Sequence, residues 1–375
     1  MAGIYVHIPF CKQRCTYCNF HFSTSLSMKD DLLQALHKEI ALQRHFLQDQ
    51  PVDTIYFGGG TPSLLSADEI NYLFDSLQKN FPIDTLQEFT LEANPDDLTT
   101  HYLRALQQTP VNRLSIGVQS FEEADLKFMN RAHTVQQADY AIKSAQDSGF
   151  ENLTLDLIYG SPQLTDAGWK NNLRNIKALN IPHFSAYALT VEEGTLLHHN
   201  IQKQKTPPLD QEKAAAQFEI LMEEAGQMGY EHYEISNLSK KDCYAVHNTN
   251  YWKGIPYLGI GPSAHSFIDH QRRWNISNNA LYIKSVLQED RLNFEEETLT
   301  STDRLNEYIM TSLRTQWGCD LQKIAADFGE AYKEELLKNS GEYREREMIL
   351  LKNDTLFLTF KGKLFADRIA GELFI

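Results

Sequence analysis

Three of the chain's cysteines fall within eight residues, as Cys11-Lys-Gln-Arg-Cys15-Thr-Tyr-Cys18, a C-x3-C-x2-C spacing. Thiolates are the soft ligands that iron–sulfur clusters prefer. Three of them hold three corners of a cubane and leave one iron open for chemistry. A four-cysteine site would be closed and suited to electron transfer. Structural zinc asks for four ligands, commonly in two pairs, so a zinc reading would recruit His7 or His21 as the fourth. A disulfide framework would use an even number of cysteines spread along a short secreted chain. This chain has five, and Cys243 and Cys319 stand alone. A cluster of thiols in a reducing compartment points to metal or redox chemistry, whereas the two isolated cysteines read as small hydrophobes.

The cysteines follow an apolar strand over residues 3–8 that ends at Pro9. Further strands are expected at 53–57, 88–93, 112–118, 152–159 and 183–189. Helical spacing separates them at 29–46, 66–78, 134–148 and 168–178. Ser66 followed by Glu69 is a capping signature, and Gly149 ends the third helix. Strands alternating with helices imply right-handed crossovers and a parallel sheet. Six such units are two short of a closed eight-stranded barrel, so the expected fold is α/β: an open, partial (βα)6 TIM-like barrel. Active groups in such sheets gather at the carboxyl ends of the strands. That rule puts the turns after Ile8, Phe57, Leu91, Val118 and Ile158 on one rim.

The expected domains are the barrel at 1–200, an extension at 201–300 and a terminal module at 301–375. A proline-bearing linker at 202–210 precedes an amphipathic helix at 211–228, then an irregular stretch at 230–277 and a helix at 278–288. In the last segment, helices at 302–315, 320–326 and 331–337 precede a hairpin, 348–351 with 355–359, and a final helix at 361–373. That order suggests a small winged-helix-like module. It carries 11 Lys and Arg against 13 Asp and Glu, and the whole chain has a net charge of −15. Phosphate binding needs basic surface, so nucleic acid is not an expected partner. No run approaches ~18 uninterrupted apolar residues, so no spanning helix is expected. The N-terminus lacks a basic start followed by an apolar run, so no secretion signal is expected either. The localisation this implies is cytoplasmic.

The cysteine spacing resembles the signature of the radical S-adenosylmethionine (radical SAM) superfamily. Nearly the whole chain resembles the oxygen-independent coproporphyrinogen III oxidases and their relatives. The words that carry this are Tyr5-Val-His7-Ile-Pro9-Phe10-Cys11, Phe57-Gly-Gly-Gly60-Thr61-Pro62, Glu92-Ala-Asn94-Pro95, Arg113 to Phe121, Arg131, and Asp156-Leu-Ile-Tyr-Gly160. The resemblance implies a [4Fe–4S] cluster on Cys11, Cys15 and Cys18, with S-adenosylmethionine on the fourth iron. It implies that Gly59, Gly60 and Thr61 meet the cofactor's amino and carboxylate groups, where missing side chains let backbone approach. Glu92 would pair with the ammonium or sulfonium, Gln119 would donate and accept, and Arg131 would fork onto a carboxylate. Asp156 would accept from ribose hydroxyls, with Tyr5 and Tyr17 packed beside the cluster. The chemistry implied is reductive cleavage to methionine and a deoxyadenosyl radical, fed by an electron donor such as flavodoxin or ferredoxin.

Two departures weigh against coproporphyrinogen decarboxylation. The oxidase signature has a further cysteine two residues past the third, and here that residue is Phe20. The oxidase also has a long extension before its cluster, for which no room is expected here. A second word, His247-Asn-Thr-Asn-Tyr251-Trp252, fits H-N-x-x-Y-W. With Phe20 it resembles the haem-chaperone branch of the same family, whose members bind haem and deliver it to acceptor proteins. An imidazole can ligate haem iron and aromatics can stack on porphyrin. His247 is thus the expected axial ligand, with Tyr251 and Trp252 as the wall. A haem chaperone and a radical decarboxylase stay side by side at this point. Contact with membrane-bound acceptors is compatible with either, and oligomeric state is unreadable. The segment Leu258-Gly-Ile-Gly261-Pro-Ser-Ala264-His265-Ser266 resembles a family stretch that folds toward the active face.

Overall fold

The computed structural model describes residues 1–375. Six parallel strands run in sequence order: β1 Ala2–Ile8, β2 Val52–Gly59, β3 Glu88–Ala93, β4 Arg113–Gln119, β5 Leu153–Tyr159 and β6 His183–Ala188. Their outward side chains, among them Ile4, Ile55, Phe89, Leu114 and Leu155, are fully buried in one apolar core. The helices Lys29–Leu42, Ala67–Asn80, Val135–Asp147 and Asp166–Ala178 supply the other half of that core. Ser66 with Glu69, and Thr134 with Gln137, form reciprocal capping boxes that start two of these helices. The first helix stops at Leu42, short of the expected 46. Beyond it Phe46 N–H and Gln48 N–H donate three residues back, to the C=O groups of Gln43 and His45, in turns that end at the left-handed Gln48 and Asp49.

The stretch at 230–277 is not irregular. It contains β7 Glu231–Glu234, β8 Asn237–Ser239, the helix Val246–Trp252, β9 Tyr257–Ile260, β10 His265–Ile268 and β11 Gln271–Asn275. With β12 Phe294–Thr298 they extend the barrel sheet at both edges, in the order β12-β11-β10-β9-β1-β2-β3-β4-β5-β6-β8-β7. Strands of three to five residues show too few alternations to betray their period. Their pairing comes from the open edges of β1 and β6, which would otherwise leave backbone donors and acceptors unmet.

The inward face of the six strands is polar. Register sets Thr54 beside Glu88, Thr90 beside Arg113, Ser115 beside Thr154, and Thr154 beside His183. Glu88 is buried and accepts from the backbone amides of Val246, at 2.6 Å, and His247, at 3.1 Å. Its carboxylate lies 3.8 Å from Arg113 Nε, and Arg113 also donates to Thr90 and Thr154. The helix Val246–Trp252 therefore plugs the amino end of the barrel, anchored through its first amides.

The terminal module has its own apolar core, which includes Leu305, Ile309, Ile324, Leu356 and Ile369. The expected two-stranded wing has a third strand. β13 Cys319–Asp320 pairs with β15 Thr355–Leu358, which pairs in turn with β14 Ile349–Lys352. Asn353 and Asp354 are both left-handed, as a two-residue hairpin turn demands. The expected last helix is two, Phe360–Lys363 and Ala366–Glu372. Arg314 ties the module to the barrel through Glu234 at 3.4 Å, and Gln316 N–H donates to Tyr233 C=O at 2.9 Å. No helix is long and apolar enough to cross a membrane.

Removing one partner of a buried ion pair strands the other, at a cost of about 3–5 kcal/mol. Glu88→Ala is expected to lose that much in urea unfolding, and Glu88→Ala/Arg113→Met to recover part of it. A loss under about 1 kcal/mol, the level of an exposed pair, would show that the plug is held by something else.

Candidate functional site

The carboxyl ends of β1–β6 surround a chamber of about 550 Å3. Cys11, Cys15 and Cys18 stand on its rim, all three as free thiols. The loop that carries them is fastened down. Cys11 N–H donates to Ser23 C=O and Thr16 N–H to Met129 C=O, both at 3.0 Å. Arg131 Nη1 points at Cys15 Sγ from 3.2 Å, and the Thr61 hydroxyl at Cys11 Sγ from 3.5 Å. Donors aimed at sulfur favour the thiolate, the form that binds metal. Burial acts the other way and pushes the Cys11 thiol up to about 11, a proton that metal ligation displaces.

Tyr5, Tyr17, Gly59, Gly60, Thr61, Glu92, Gln119, Arg131, Asp156, His247 and Tyr251 all line this same chamber. Several do so differently from the expectation. Arg131 is already engaged: its second Nη donates to Asn94 Oδ1 and to Gly117 C=O, both at 2.7 Å, and its first faces Cys15. It is a brace between the rim and the Cys15 thiol, with Nε alone left unpartnered. The glycines make room for the chain itself. A Cβ on Gly59 would lie 2.4 Å from the His7 ring, and one on Gly60 2.6 Å from Phe10 C=O. Gln119 is left-handed at φ 67°, in a break of the β4–β5 register, a conformation an ordinary residue holds only at a cost.

His247 is not an open ligand. Its Nδ1 pairs with Thr54 Oγ1 and its Nε2 with Tyr251 Oη, each at 2.8 Å. It is buried on the chamber floor, and burial lowers it to about 4, so it is neutral. The three residues of the expected haem wall are split. Tyr251 borders this chamber and a second cavity, whereas Trp252 faces only the second.

The chamber holds two half-buried carboxylates. Glu92 accepts from Tyr56 Oη at 2.7 Å and Gly59 N–H at 3.1 Å, and Asp156 accepts from Ser115 Oγ at 3.2 Å. Burial raises both. For Glu92 the shift reaches about 7, with Asp156 adding to it and the Tyr56 hydroxyl opposing it. An acid pair half-buried in the chamber wall, beside a thiol tripod, fits a ligand with a cationic end. Tyr56, Asn94, Ser115 and Ser185 are further wall residues that sequence reading missed. Their signal was available: in Glu88-Phe-Thr-Leu-Glu-Ala and Arg113-Leu-Ser-Ile-Gly-Val-Gln every second residue is polar or small. Such alternation means a strand with one polar face.

This fold and site define a radical SAM protein. Residues 5–176 match the family model described as the Radical SAM superfamily, and residues 299–365 match the HemN C-terminal domain. A solved structure of coproporphyrinogen III oxidase (HemN) from Escherichia coli superposes with a TM-score of 0.85. It covers 100% of this chain and 90% of that one at 23% identity, a likeness of fold. The heme chaperone HemW of Bacillus subtilis is 31% identical over 373 residues, 99% of this chain and 98% of its own. That of Lactococcus lactis is 31% identical over 96% and 93%. The chain belongs to the HemW family of radical SAM proteins.

If the thiol tripod carries the cluster that this superfamily uses, Cys11→Ser/Cys15→Ser/Cys18→Ser should fold with unchanged circular dichroism. After anaerobic reconstitution it should contain no stoichiometric iron or sulfide. Wild-type iron content in that variant would place the cluster elsewhere.

Proposed function

We propose that this protein is a haem chaperone of the cytoplasm. It binds haem and passes it to acceptor proteins while holding a [4Fe–4S] cluster and S-adenosylmethionine in the barrel chamber. The full-length likeness to relatives named as heme chaperones carries this reading. Phe20 agrees with it. The residue two beyond Cys18 is a phenyl ring, 68% exposed at the chamber lip, where the oxidase signature has a thiol.

Within the chamber, Cys11, Cys15 and Cys18 would hold the cluster and leave its fourth iron to S-adenosylmethionine. When bound, the pair supplies one-electron cleavage chemistry, the hard part of which belongs to the cofactor. The protein's own part is placement. Arg131 and Thr61 orient two thiols, Glu92 and Asp156 supply negative charge for the ammonium, sulfonium or ribose, and the strand ends exclude water. An electron donor of the flavodoxin or ferredoxin kind would serve the exposed cysteine loop.

Two measurements test this. Reconstituted protein is expected to take up hemin at one per chain. It is also expected to form no protoporphyrinogen IX from coproporphyrinogen III, S-adenosylmethionine and reductant without oxygen. Decarboxylation at enzymatic rates would overturn the chaperone reading.

A further measurement concerns Glu92. Its carboxyl sits at about 7, so it is protonated below that pH and gains the charge that pairs with a cation as pH rises. Binding of S-adenosylmethionine should strengthen through that range. Below the midpoint it should weaken about tenfold per pH unit, following the charged fraction. Glu92→Gln should bind more weakly and without that slope, as read by equilibrium dialysis. A slope that survives in Glu92→Gln would assign it to another group.

A further inference from the structure

A second cavity, of about 700 Å3, opens beside the chamber, between the β1-β9-β10 edge of the sheet and the helices Ser301–Leu313 and Leu321–Asp327 of the terminal module. It shares Tyr5, Asn19, Phe20 and Tyr251 with the chamber, so those side chains are the partition between the two. Its size lies within the roughly 300–1,000 Å3 of pockets that bury whole organic ligands.

Four histidines stand near the partition, and their hydrogen bonds tell them apart. His7 donates Nε2–H to His21 C=O at 2.9 Å and accepts at Nδ1 from Tyr5 Oη at 3.2 Å. His21 Nε2 is held by Asn279 Oδ1 at 2.7 Å. His247 has both nitrogens engaged. His265 alone stands exposed in the second cavity with neither ring nitrogen hydrogen-bonded, its ring stacked at 6.0 Å on Trp274. Partial desolvation at the cavity wall and the positive charge of the nearby Arg272 lower its pKa, which favours the neutral, metal-binding form. Its backbone is rigidly placed. β10 crosses so close over Gly259 that a Cβ there would lie 2.0 Å from His265 C=O, and Ser266 Oγ accepts from Gly259 N–H at 2.9 Å.

The walls are aromatic and the rim is cationic in an otherwise acidic chain. Phe20, Trp252, Phe267 and Phe328 face the space. Of the four cations around it, Arg272 is paired with Glu297 and Glu307, and Lys323 with Asp327. Lys253 and Arg304 have no carboxylate. Each sits over an aromatic ring, Trp317 at 4.8 Å and Phe328 at 5.8 Å. A free imidazole, apolar rings and two spare cations match a flat apolar dicarboxylate with a ligatable metal at its centre.

We propose that this cleft between barrel and terminal module is the haem site, with His265 as the axial ligand and Lys253 and Arg304 on the propionates. The assignment rests on the chaperone reading above and moves the ligand from His247 to His265. Tyr251 and Trp252 of the H-N-x-x-Y-W word remain beside the porphyrin, while His247 positions Tyr251.

The test is hemin titration of the full-length protein, followed by its absorption spectrum. His265→Ala is expected to lose the ligated Soret signature and about tenfold or more in affinity. Added imidazole should restore the signature. Lys253→Glu/Arg304→Glu should weaken hemin about tenfold and leave the binding of hemin dimethyl ester, which lacks the propionate charges, unchanged. A wild-type protein that takes up no hemin would overturn the chaperone reading itself. Wild-type binding with an indistinguishable His265→Ala spectrum and affinity, or loss of the signature in His21→Ala instead, would overturn this site alone.

Discussion

The buried carboxylate of Glu88 joins two parts of the chain that are 158 residues apart. It stands on β3, accepts from the first two amides of the helix Val246–Trp252, and faces Arg113 on β4. A charge out of water needs compensation from every side, and here strand, plug and cation supply it together. Because the plug is fastened at the amino end of the barrel, His247 and Asn248 line that end of the chamber, and the cysteine loop lies at the other. A Cβ on Gly3 would lie 3.1 Å from the His247 ring, so the floor has no spare room.

Above that floor the chamber is divided by charge. The carboxylates of Glu92 and Asp156 are held by hydroxyls and a backbone amide, whereas the Arg131 guanidinium is spent on Asn94, Gly117 and Cys15 at the rim. A ligand with a cationic end toward the carboxylates, close to the thiols, completes this field. An anionic ligand would meet like charge. Specificity here begins with sign, and hydrogen-bond detail refines it. The second cavity has the opposite character, with spare cations and rings, so the protein presents two adjacent sites that call for ligands of different charge.

Much of this was legible before any coordinates. The six parallel strands, the capping box at Ser66 and the thiol tripod are local signals, each contained within a few residues. The short strands between Glu231 and Asn275 were not legible, because each is too brief to show a period and exists only by pairing with an edge of the barrel. The polar inner face was written in the alternation along β3 and β4 but reads ambiguously, since a polar face ordinarily looks outward to water. Only the closing of the sheet around it turns that face inward.

The amino-acid sequence by itself determined the fold class, the cluster spacing and the family words, since these depend on residue type and near neighbours. Tertiary structure decided which side chains are free to act. His247 and His265 are both plausible ligands as letters. In the folded chain both nitrogens of the first are consumed by Thr54 and Tyr251, while the second faces a cavity unpartnered. A side chain's availability is set by the partners that distant segments bring to it, and spacing along the chain does not record those partners.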